Sequence, residues 1–327
     1  MRNYTEITQL FETALQNEIE RISRLQPSNL YDPVIYTLNM GGKRIRPALL
    51  TMAYEMFDKQ IERAFPAAMA IEMFHNFTLL HDDMMDGASM RRNKETIHIK
   101  YSNNTAILSG DAMSIISYDY INRCDTQHFR EVIEIFTNTA LKICEGQQYD
   151  MDFETRNDVT VDEYLHMIGL KTAILLAASL KIGALLANAP KTDAQLLYDF
   201  GFNLGMAFQL QDDFLDTYGD SETFGKKIGG DIVANKKTFL MLKTLELAKG
   251  DQLNELNKLI TDEAIDIQKK VDSVTAIYNQ VDVVSHSKEI MEDYYNKAIA
   301  CFDKVNLEDE KKSELLLVAQ KMLKRTK

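Results

Sequence analysis

The chain has 327 residues, 49 of them acidic and 37 basic, for a net charge of −12. That balance argues against a nucleic-acid-binding protein, whose contact face is basic. Three cysteines without paired metal spacing suit a reducing compartment, here taken as the cytoplasm.

Hydrophobic residues make up 45% of the chain and only five positions are proline, so long buried helices are expected. Tyr4–Leu25 repeats Ile7, Leu10, Phe11, Leu15, Ile19 and Ile22 at helical spacing, an amphipathic stripe. A short helix around Pro33–Asn39 is expected to stop at Gly41-Gly42. Pro47 and Pro66 fit first helical turns, where the missing N–H costs nothing. The helix from Pro66 to about Asp86 is ~30 Å long at 1.5 Å per residue. It is apolar nearly all round until His81-Asp82-Asp83, as a helix inside a bundle should be.

The most apolar segment, Ala173–Ala189, is interrupted by Lys181. It reads as too short and too charged to cross a bilayer, so no transmembrane segment is expected. A second long helix runs from about Thr192 to Asp216. The segment 220–235 holds three glycines and two adjacent lysines, a candidate phosphate-contacting lid. The charged tail from Asp251 is helical and is expected to form a solvated layer. No alternating β-branched run competes, so the fold class is all-α, with residues 1–327 as a single domain.

Two segments share one pattern: Asp82-Asp83-Met84-Met85-Asp86 and Asp212-Asp213-Phe214-Leu215-Asp216. Carboxylates at i, i+1 and i+4 crowd one side of a helix and repel one another. Near a helix C-terminus they also oppose the dipole. A chain that places such clusters at the ends of two apolar helices needs cations there. Oxygen donors suit Mg²⁺, which is commonly shared between carboxylates and substrate phosphates. His75 lies within ~20° of Asp82 and Asp86 around the helix axis, and Gln209 within ~20° of Asp216. These polar stripes are expected to face each other or a cavity.

Basic groups are placed to match. Lys43, Arg44 and Arg46 follow the Gly-Gly turn, and Arg91-Arg92 follow the first cluster. Lys171-Thr172 heads an apolar helix, and Lys226, Lys227, Lys236 and Lys237 flank the glycine segment. Two carboxylate clusters and several cations around an apolar interior describe a site for a diphosphate with a hydrocarbon tail.

The sequence here resembles the trans-isoprenyl diphosphate synthases, the polyprenyl synthetase family. The likeness rests on GGKRIRP, HNFTLLHDDMMD with Arg91-Arg92, GDAM at Gly110–Met113, EGQQYD at Glu145–Asp150, Lys171-Thr172, FQLQDDFLD, and GKKIGGD with Lys236, in that order. It implies an isoprenoid-synthase helical bundle around a deep apolar cavity and a homodimer. Asp82, Asp86 and Asp212 would be the main magnesium ligands, with Asp83, Asp213 and Asp216 beside or behind them. Arg91, Lys171, Thr172, Gln209, Lys226 and Lys236 would hold an allylic diphosphate. Lys43, Arg46, His75 and Arg92 would hold isopentenyl diphosphate. The residues implied in catalysis are Asp82, Asp86, Asp212, Lys171 and Arg91. Asn93 stands where the family usually has glycine.

The same resemblance makes Phe77 and Thr78, five and four residues before Asp82, the limit on product length. The first motif lacks the inserted pair typical of bacterial farnesyl synthases, which favours a geranylgeranyl over a farnesyl product. Two other readings compete. A class I terpene cyclase normally has one DDxxD, and this chain has two. A non-catalytic regulatory subunit should have lost aspartates or arginines, and none is missing.

Overall fold

The computed structural model describes residues 1–219, 228–262 and 264–323. It is all-α, as expected. Among the described residues the only strands are β1 (Met90–Arg91) and β2 (Lys94–Glu95), an antiparallel pair with Met90 opposite Glu95. The chain divides into two compact units. One comprises Met1–Phe136, Ala178–Leu197 and Asn306–Leu316, and the other comprises the rest.

In the first unit, α1 (Tyr4–Ile22) opens with a capping box. Asn3 accepts from the Glu6 N–H while the Glu6 carboxylate accepts from the Asn3 N–H. Ile7, Phe11, Leu15, Ile19 and Ile22 are buried, while Leu10 is exposed. α2 (Ser28–Leu38) starts five residues earlier than the sequence suggested, with Pro33 inside it. Pro33 is the sixth residue of the helix, past the first turn, so it removes one internal hydrogen bond and crowds the preceding turn. α3 (Ile45–Glu55) and α4 (Phe65–Met85) carry Pro47 and Pro66 in their first turns. Every residue from Ala67 to Phe74 on α4 is buried, including Glu72. α5 (Ile97–Lys100) and α6 (Asn103–Asn122) follow the small hairpin, and α6 packs along α4.

α7 (Phe129–Thr155) leads to α8 (Val161–Ile168), which begins with a second capping box between Thr160 and Glu163. One wide π turn, Gly169–Ala173, joins α8 to α9 (Ile174–Leu186). Because the turn does not break the rod, Val161–Leu186 is long and apolar enough to span a membrane. This corrects the expectation that the apolar segment is too short. Burial decides the matter, because 78% of its most apolar window is inside the protein.

α10 (Lys191–Tyr218) runs two residues past the second aspartate cluster. Tyr164, Met167, Ile168, Ala173, Met206 and Leu210 form one core of the second unit. The tail is not merely a solvated layer. Leu256, Leu259, Val274, Ile277 and Tyr278 form a second core with Leu240 and Met241. The surface of that segment is charged, but its apolar residues recur at helical spacing and are buried.

Candidate active site

The first aspartate cluster closes α4, with Asp86 as the capping residue. Asp83 is 4% exposed, and Arg91 Nε lies 2.7 and 2.8 Å from its two oxygens. Arg91 Nη2 is also 3.6 Å from Asp82 Oδ2. Burial outweighs this pairing and holds the Asp83 carboxyl above its ordinary pKa. Arg91 is presented by the β1–β2 hairpin, whose central residues Arg92 and Asn93 have φ of 51° and 60°. Two consecutive left-handed residues suit a two-residue hairpin, and asparagine tolerates that region. Asn93 is therefore compatible with the left-handed position that this turn requires.

Behind the cluster, the same helix presents His75. Arg46 Nη1 lies 3.1 Å from His75 Nε2. Burial, then the guanidinium groups of Arg46, Arg92, Arg91 and Arg44, hold the His75 pKa well below its ordinary value. His75 is thus neutral at pH 7. Arg92 donates to the Gly41 carbonyl and Tyr4 to the Lys43 carbonyl, so both contacts pin the turn carrying Lys43. An open cleft of about 500 Å³ lies between that turn and α1, with Glu12, Lys43 and Arg44 in its wall.

Phe77 stacks edge-on against His81 at 4.9 Å between ring centres and tilts against Phe74 at 5.3 Å. Thr78 Oγ1 donates to the His75 carbonyl at 2.8 Å. The GDAM segment has a steric reason here. A Cβ on Gly110 would lie 2.2 Å from His81 Nε2, so a larger residue there would push aside the ring next to Asp82.

In the second unit the π turn carries Lys171 and Thr172. A π turn widens the helix locally and re-aims its side chains. Lys171 Nζ is 2.6 Å from Asp150 Oδ2. The EGQQYD segment supplies both that carboxylate and Gly146, where a Cβ would lie 2.5 Å from the backbone nitrogen of Lys171. Thr172 Oγ1 donates to Gln209 Oε1 at 3.0 Å, and Gln209 Nε2 donates to Asp213 Oδ1 at 2.9 Å. The Tyr164 hydroxyl donates to the other oxygen, Asp213 Oδ2. Burial first, then the neighbouring Asp231 charge, raise the Asp213 pKa well above the ordinary value, with Lys236 opposing. Asp216 Oδ2 accepts from the Asp231 backbone N–H at 2.9 Å. Lys226 and Lys227, and residues 220–227 of the candidate lid 220–235, lie outside the described residues; Gly230–Val233 within it form a short helical turn.

Among the described residues, no three His, Cys, Asp or Glu side chains converge as a complete metal cage. Carboxylate oxygens of this kind suit a hard cation that is shared with a phosphate.

The polyprenyl synthetase family model matches residues 27–281. The chain belongs to the polyprenyl synthetase family. It is therefore a prenyltransferase, and enzymes of this family generally depend on a divalent metal. The synthetase is 38% identical over 281 residues to a geranylgeranyl diphosphate synthase of Sulfolobus acidocaldarius, covering 85% of this chain and 84% of that one. It is 41% identical over 242 residues to a short chain isoprenyl diphosphate synthase of Methanocaldococcus jannaschii, covering 72% and 74%. A crystal structure of a geranylgeranyl pyrophosphate synthase superposes with a TM-score of 0.94 at 42% identity, over 100% of both chains.

The structure also shows supporting residues of the synthetase that the sequence did not single out. Glu12 and Glu72 pair with Arg44, Asp150 holds Lys171, and Tyr164 and Asp231 reach the second cluster. Asp150 could have been found, since it ends a motif. Tyr164 carries no local signal.

Proposed function

We propose that the synthetase condenses isopentenyl diphosphate with an allylic diphosphate and releases geranylgeranyl diphosphate. The observation that carries this reading lies on α4. It presents His75, in contact with Arg46, and two turns on, about 10 Å along the axis, Asp82, with Asp86 one turn further at the helix end. One helix thus offers basic groups suited to an anion at one level and carboxylates suited to a cation at another.

Lys43, Arg46, His75 and Arg92 hold isopentenyl diphosphate. Asp82, Asp86 and Asp212 bind Mg²⁺, supported by Asp83, Asp213 and Asp216. Arg91, Lys171, Thr172, Gln209, Lys226 and Lys236 hold the allylic diphosphate. When bound, Mg²⁺ supplies charge neutralisation for the leaving diphosphate. Lys171 and Arg91 add fixed positive charge at the same group. The allylic C–O bond breaks, and its electron pair leaves with the diphosphate. The isopentenyl double bond attacks the allylic carbon, a new C–C bond forms, and a proton lost to the departing diphosphate restores a double bond. The growing chain runs down α4 in an apolar cavity that excludes water, past Thr78 to Phe77.

Residues 1–327 act as one domain in this reading, supported by a family match that runs from 27 to 281 across both units. A homodimer is supported by α6, where Ile107, Leu108 and Ile115 are exposed, the last at 70%. Three unbridged cysteines support a cytoplasmic location.

The deciding assay incubates labelled isopentenyl diphosphate with dimethylallyl, geranyl or farnesyl diphosphate, with and without Mg²⁺, and sizes the products. A metal-dependent twenty-carbon product is expected. Hydrocarbon release without isopentenyl consumption would instead show a cyclase, and no turnover of any primer a regulatory subunit.

A further inference from the structure

Arg44 sits between two residues assigned to substrate, and its guanidinium is buried among protein acceptors. It occupies the left-handed region at φ 48°, just before α3. For a residue with a Cβ that conformation is strained, so something must hold it. The guanidinium is 3% exposed and all three of its nitrogens are engaged. Nε lies 2.7 Å from Glu12 on α1, Nη1 2.5 Å from Glu72 on α4, and Nη2 2.8 Å from the Leu38 carbonyl at the end of α2. Glu72 is equally buried and also accepts from Asn76 Nδ2 at 3.0 Å.

This junction ties three helices to one short turn. Lys43 precedes Arg44 directly, and Arg46 follows by two. Glu72 precedes His75 by three residues on the same helix. One buried ion pair therefore locks the turn bearing Lys43 and Arg46 onto the helix bearing His75. It also neutralises Glu72, whose carboxylate would otherwise lie buried, close to an anion site.

We propose that Arg44 is a positioning residue for the isopentenyl diphosphate half of the site, acting through Glu72 and Glu12 and never touching substrate. A lysine cannot replace it, because one ammonium cannot bond in three directions set by a planar fork. The proposal rests on the reading of Lys43, Arg46 and His75 as the isopentenyl site.

The test measures KM for isopentenyl diphosphate and for the allylic primer, kcat, and thermal midpoint, in the wild type and in Arg44→Lys, Glu12→Gln and the double variant Arg44→Gln/Glu72→Gln. Arg44→Lys is expected to raise the isopentenyl KM about tenfold or more while the allylic KM stays within about twofold. Glu12→Gln should move the isopentenyl KM in the same direction by about two- to threefold. Glu12 is partly exposed at 38%, so this variant decides the matter should Arg44→Lys fail to fold. The double variant removes the stranded carboxylate but not the loss of anchoring, so its isopentenyl KM stays raised. Folded variants whose two KM values are unchanged, or rise together, overturn the proposal. A wild type that consumes no isopentenyl diphosphate overturns the functional reading itself, a different result.

Discussion

The Tyr164 hydroxyl donates to Asp213 from a helix 49 residues away in sequence, and Gln209 covers the other oxygen of the same carboxylate. Both oxygens of the middle aspartate are thus held by protein donors, as both oxygens of Asp83 are held by Arg91. Tyr164→Phe should cost about 1–2 kcal/mol of stability, because a buried acceptor loses its donor. It should also raise the Mg²⁺ concentration needed for half-maximal rate. A thermal melt and a metal titration check the two effects separately.

Lys171 is held at 2.6 Å from Asp150 in a π turn that fixes its direction. Lys171→Ala should lower kcat about 10²–10³-fold, the usual cost of one preorganised charge at a leaving group. Asp150→Asn keeps the lysine but loosens it, and a smaller loss, expressed in the allylic KM, is expected. Steady-state kinetics with both substrates varied would show it. Equal kinetics for Lys171→Ala and wild type would remove Lys171 from the site.

His75 is kept neutral by burial and nearby guanidinium groups, whereas in the unfolded chain it titrates near 6.5. The unfolded state therefore takes up a proton that the folded state resists. Stability from this residue is intact above pH 6.5 and is lost as pH falls below it, at up to about 1.4 kcal/mol per pH unit. Urea melts from pH 7.5 to 5, without substrate, should show the decline, and His75→Asn should flatten it.

Phe77 packs between Phe74 and His81 and lies five residues before Asp82 on α4. Phe77→Ala should lengthen the product by at least one five-carbon unit. Chromatography of the dephosphorylated products settles it, and an unchanged length refutes the gate.

Gly110 has no room for a methyl group beneath His81. Gly110→Ala should destabilise the fold by about 1–3 kcal/mol, since His81 is already backed by Phe77 and must leave its position. Denaturant melts give the cost, and a fall in kcat beyond it would report displacement of the adjacent Asp82.

Much of the fold was legible because helical spacing is a local property. Ile7, Phe11, Leu15, Ile19 and Ile22 repeat every three or four residues, and all are buried. The tail is harder to read, because its charges are conspicuous and its buried Leu256, Leu259, Val274 and Tyr278 are spread over two helices. The aspartate clusters were legible because they too are local, as was the Arg91-Arg92 pair. Pro33 misled because proline marks a helix start more often than an interior position.

The sequence by itself determined the helices, the two carboxylate clusters and the kinds of charge around them, since neighbours within one turn are set by spacing alone. Only the tertiary structure decided how those charges are held. Arg44 meets Glu72 across 28 residues and Tyr164 meets Asp213 across 49. No periodicity links such partners. They are joined because a buried charge or carboxylate must find a donor or counter-charge, and packing determines which one comes within reach.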